Sequence, residues 1–87
     1  MDIRKLFGAN VRRYRVSLNI SQEALGVRMG VDRAYVSAME RGIQNVTLLS
    51  LWEVAQALGV RPAALLDEDV KNEGVEDDGA EGEDVDI

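Results

Sequence analysis

Arg33, Ser37 and Arg41 stand four residues apart in GVDRAYVSAMERG, residues 30–42, with Tyr35 and the apolar Val36 and Met39 between them. Arginine, tyrosine and serine side chains donate hydrogen bonds. An arginine fork can donate to two acceptors at once, as on a phosphate or the O6/N7 edge of guanine. Catalysis would ask for other residues. The chain contains neither histidine nor cysteine, which removes imidazole acid–base chemistry, thiolate nucleophiles and the usual zinc ligands. No glycine-rich phosphate loop and no nucleophile–base pair can be assigned. An enzyme is therefore not expected, nor a metal site or other cofactor. These residue types point to recognition.

A recognition surface of this kind needs a rigid frame, and the apolar pattern supplies a helical one. Five short helices account for residues 2–66, with no convincing strand. Asp2 can cap the first, which carries Ile3, Leu6, Phe7, Val11, Tyr14 and Leu18 at a helical period and closes at residues 17–19. Ser21 caps the second, with Glu23 favouring the dipole in its first turn, Leu25 and Met29 one turn apart, and Gly30 as the stop. Asp32 caps the third, residues 33–41, whose inward pair is Val36 and Met39. After a polar loop, Thr47 caps the fourth, with Leu48, Leu51, Ala55 and Leu58 as its stripe and Gly59 at its end. Pro62 opens a short fifth helix with Leu65 and Leu66.

The spacing from Ser21 to Gly42 is that of two helices crossing closely around a sharp turn. Gly30 provides the turn and Gly26 the close approach, while Leu25, Met29, Val31, Val36 and Met39 lock the crossing. Arg33, Ala34, Tyr35, Ser37 and Ala38 remain on the outer side, free to enter a groove.

The net charge of −6 conceals two regions. Residues 1–66 hold nine Lys/Arg and five Asp/Glu, a mildly basic domain of charge +4. Residues 67–87, DEDVKNEGVEDDGAEGEDVDI, hold one Lys and eleven Asp/Glu, charge −10. That tail lacks aromatics, Leu and Met and is broken by three glycines. It cannot bury enough apolar surface to offset its ordering entropy, so it reads as disordered. It is either a solubilising tail or a segment that binds a basic partner. No apolar run is long enough to span a membrane and no signal-peptide core is visible, so a soluble, cytoplasmic protein is expected.

SQEALGVRMGVDRAYVSAMERG followed by TLLSLWEVAQALGVRPAALL resembles the Cro/C1-type helix-turn-helix, or XRE, family over roughly residues 3–66. Gln22 directly after the cap, the turn glycine and the closing ERG carry the likeness. The resemblance implies a compact five-helix, lambda repressor-like domain, a homodimer, and regulation of transcription through operator DNA, most simply by repression. By position it assigns base reading to Arg33, Ala34, Ser37 and Ala38. It assigns phosphate and backbone contacts to Ser21, Gln22, Tyr35, Arg41, Gln44 and Asn45, with Gln22 either touching phosphate or bracing a recognition residue. It makes Arg15 and Glu40 a buried ion pair tying the first helix to the third.

The family usually has alanine where Gly26 stands, and often a proline where Val46 stands. Leu49 and Trp52 lie off the main stripe of the fourth helix. Either Trp52 laps over the edge of the core, or the two form a dimer seam. The alternative to a DNA-binding regulator is an interaction module of antitoxin-like type, whose acidic tail binds a basic protein.

Overall fold

A computed structural model describes residues 1–68; the rest of the acidic tail, and with it the expectation of disorder, lies outside the described residues. Four α-helices follow one another: α1 (Ile3–Ser17), α2 (Gln22–Met29), α3 (Arg33–Glu40) and α4 (Leu48–Leu58). A 3-10 turn, Pro62–Leu66, completes the described chain, and no strand occurs among the described residues. The expected fifth helix is thus corrected to a short 3-10 segment of five residues. Its bonds run Ala64 N–H to Arg61 O at 2.9 Å and Asp67 N–H to Ala64 O at 3.4 Å. A segment of only five residues offers few α-helical bonds, and short connecting segments commonly take the tighter 3-10 bond instead.

The helices start and stop where local chemistry dictates. Asp2, Ser21 and Thr47 each accept a backbone N–H of the first turn, from Arg4, Ala24 and Ser50. Asp32 occupies the capping position of α3 with extended backbone, but its side chain makes no capping bond. Gly30 and Gly59 close α2 and α4 in the left-handed conformation, at φ of 76° and 71°, which glycine adopts without steric cost.

Every element contributes to one core: Phe7 and Val11 from α1, Leu25 from α2, Val36 and Met39 from α3, Val54, Ala55 and Leu58 from α4, and Leu65 from the 3-10 turn. Leu48 does not belong to the inward stripe. It is 84% exposed, whereas Val54 is fully buried. Thr47 caps α4 immediately before Leu48, so this first-turn residue overhangs the edge of the packed face. Ile3, the first residue of α1, and Leu18, just after its end, are likewise exposed, as is Leu66.

Two close approaches fix the frame. A methyl on Gly26 would stand 2.7 Å from Val31 O, so α2 can cross the turn at this distance only with glycine there. A methyl on Gly8 would stand 2.6 Å from Glu40 O, which brings α1 against the end of α3. The third clamp is polar. Asn10 is fully buried, and its Nδ2 donates to Leu65 O and Asp67 O, both at 3.0 Å. These bonds satisfy carbonyls that the 3-10 turn leaves open.

Candidate nucleic-acid interface

The first turn of α3 leaves the body of the domain with Asp32, Arg33 and Ala34 exposed. Ser37 and Ala38, one turn on, are half-buried at the rim of the same face. Val36 and Met39 are buried beneath them, so the helix cannot roll without exposing its core residues. Tyr35 is not simply on the outer side: it is half-buried and packs against the core.

Behind α3 lies a connected polar junction. The Arg15 Nε donates to Glu40 Oε2 at 2.6 Å and Nη2 donates to Oε1 at 3.2 Å, with side chains only 11% and 3% exposed. The pair therefore joins α1 to α3 away from water. Arg15 Nη1 also donates to Ile20 O at 2.8 Å, just before α2. Gln22 Nε2 donates to Glu40 Oε1 at 3.1 Å, and Gln22 Oε1 accepts from Arg33 Nη1 at 3.4 Å. Gln22 thus stands between the buried pair and the exposed arginine. Ser21 is exposed, with its hydroxyl oxygen engaged by Ala24 N–H at 2.9 Å.

The segment after α3 flanks this face. Arg41 is exposed and folds back so that Nε donates to Ser37 O at 3.3 Å. Gln44 is half-buried and Asn45 exposed. Asn45 Oδ1 accepts from Arg4 Nη1 at 3.4 Å, while Arg4 Nη2 holds Asp2 Oδ2 at 3.1 Å. The Arg4 hydrogen bonds, side-chain and then backbone, hold the Asp2 carboxyl below its ordinary value. Sequence reading missed Arg4, because nothing in a helical period shows a loop 41 residues on returning to the start of α1. It missed Gly8, Asn10 and the Gln22–Glu40 bond for the same reason. Arg12 is exposed and the Arg13 guanidinium lies 4.6 Å from the Tyr14 ring centre.

On α4 the exposed face is of another kind. Leu49 is 65% and Trp52 53% exposed, beside the overhanging Leu48. Among the described residues, no group of three acidic, His or Cys residues could hold a metal ion, and no helix is long and apolar enough to cross a membrane.

The helix-turn-helix family model HTH_3 matches residues 11–65. The chain is 44% identical over 66 residues to the HTH-type transcriptional regulator y4dJ of Sinorhizobium fredii, covering 76% of this chain and 86% of that one. It is 46% identical over 67 residues to the control protein C.BamHI of Bacillus amyloliquefaciens, covering 76% and 83%. Its fold is similar to the crystal structure of the restriction-modification controller protein C.AhdI from Aeromonas hydrophila, with a TM-score of 0.69, 39% identity, and 71% and 90% of the two chains covered.

Proposed function

The chain belongs to the helix-turn-helix family of DNA-binding transcriptional regulators, which are not enzymes, and from that premise we propose that it binds an operator as a homodimer and represses by occupying it. We assign residues 1–66 to the DNA-binding domain and residues 67–87 to an acidic segment that follows it. The observation that carries this reading is the exposed first turn of α3, anchored by Val36 and Met39 and braced from behind by Gln22.

In this reading α3 enters the major groove N-terminus first. Arg33 presents its fork to guanine, a contact worth ~1–3 kcal/mol of discrimination. Ala34 and Ala38 offer only apolar contact, as to a thymine methyl, and Ser37 serves either base edge. Ser21, Gln22, Tyr35, Arg41, Gln44 and Asn45 meet the sugar–phosphate backbone, where the N-terminus of α2 adds its backbone N–H groups. Because one arginine carries most of the direct reading, DNA shape contributes the remainder. Leu49 and Trp52 form the seam between two copies, an isologous apolar patch on α4. A relative named as a control protein and a similar structure named as a restriction-modification controller protein support a regulatory role. No observation among the described residues favours the alternative of a module that binds a basic protein.

Titrating a duplex isolated by selection against a random duplex, across a salt series, tests the reading. Specific binding is expected to be the tighter and to fall steeply with salt, as phosphate counterions are released. Equal affinity for both duplexes, or indifference to salt, sinks it.

A further inference from the structure

We infer that Glu40 is a positioning residue for base reading, acting through Gln22 on Arg33. The inference rests on the assignment of Arg33 as a base reader. It follows from the order of donors and acceptors in the junction. An ionised carboxylate only accepts hydrogen bonds, whereas a glutamine amide donates at one end and accepts at the other. Glu40, gripped by two nitrogens of Arg15, offers Oε1 to Gln22 at 3.1 Å. Only Nε2 of Gln22 can face it. Gln22 Oε1 is thereby turned the opposite way, and there it accepts from Arg33 Nη1 at 3.4 Å.

The orientation is set by charge buried under the reading face rather than by chance packing. Glu40 cannot swing out, because its side chain is 3% exposed and Arg15 holds both oxygens. Arg15 also holds Ile20 O at 2.8 Å, so the same guanidinium fixes the approach to α2, on which Gln22 is the first residue. Arg33 is itself exposed and would otherwise sample many rotamers. Holding one of its nitrogens before DNA arrives lowers the entropy lost on binding and leaves the rest of the fork aimed outward. Replacing the carboxylate by an amide removes the constraint. Gln22 could then face position 40 with either end, and one choice turns an N–H toward the arginine, donor against donor.

The test measures binding of the full chain to a selected duplex and to the three duplexes substituted at the base pair whose preference Arg33→Ala abolishes. Glu40→Gln is expected to lower the preference at that pair about threefold to tenfold, part of what a bidentate contact confers. Preferences at the other pairs are expected to stay. In a Gln22→Ala background the same change is expected to add nothing at that pair, since the intermediary is gone. If Glu40→Gln is unfolded at the assay temperature, Arg15→Lys, which loosens the grip on Glu40 while keeping the charge, is expected to give a smaller relaxation at the same pair. A uniform loss of affinity with all preferences intact overturns the proposal, as does an equal relaxation with and without Gln22. If Arg33→Ala changes no base preference, the assignment of Arg33 fails first and the relay with it.

Discussion

The outer faces of α3 and α4 both look away from the core, yet they are built in opposite ways. On α3 the exposed polar group is Arg33, linked through Gln22 to Glu40 and Arg15, so that each of these polar side chains has a partner. On α4 the exposed groups include Leu48, Leu49 and Trp52, which water solvates poorly, beside the polar Glu53 and Gln56. A face of the first kind suits a ligand rich in acceptors and negative charge. One of the second kind suits another apolar surface. In the function proposed above, the contrast lets one small domain serve two partners, DNA and a second copy of itself, without one surface competing for the other.

The sharpest way to break the comparison is to remove the support of the polar face. Glu40→Ala leaves the Arg15 guanidinium buried without its counter-charge, and a loss of ~3–5 kcal/mol is expected in urea or thermal unfolding. Unchanged melting would mean that the pair is worth no more than an exposed one. On the apolar face, Trp52→Glu places a carboxylate in the proposed seam. The expected cost is at least ~2 kcal/mol of dimer association, giving a folded monomer by sedimentation with weak operator binding. An unchanged sedimentation mass would return Trp52 to the role of a residue lapping over the core edge. Arg33→Ala is expected to cost ~1–3 kcal/mol of discrimination at one base pair while leaving the melting curve in place, because the side chain is exposed.

The two faces were not equally legible in the sequence. Caps and turns are local, so Ser21, Thr47, Gly30 and Gly59 could be placed from residue type alone. The outward face of α3 followed from the spacing of the buried Val36 and Met39. Arg15 and Glu40, 25 residues apart, came only through the resemblance to a family. Asn10 could not be found: a polar residue in a helix reads as solvent-facing. It is buried because the chain returns 55 residues later with Leu65 O in need of a donor. Leu48 failed for the converse reason. Its period matches Leu51 and Ala55, but the helix begins at its own position and leaves it without a neighbour to cover it.

The smallest expected effect lies at the start of α1, where Arg4 meets Asn45 of the loop that follows α3. Arg4 donates to the Asp2 carboxylate and lowers its pKa below the ordinary 3.8. A lowered folded-state pKa means that Asp2 stabilises the fold fully above the unfolded carboxylate range and loses that contribution as pH falls through its own lower value. Asp2→Asn keeps a capping side chain and is expected to flatten the acid end of the melting-versus-pH curve slightly. No change in that curve would show that Arg4 does not engage the carboxylate in solution.

Selection of duplexes from a random pool by the full chain tests the central claim most directly, that α3 reads DNA from a paired arrangement. The expected result is two half-sites related by two-fold symmetry, their centres about 10 base pairs apart, each losing one preferred base pair when selection is repeated with Arg33→Ala. A pool with no enriched sequence, or an enriched sequence that Arg33→Ala leaves intact, would contradict it.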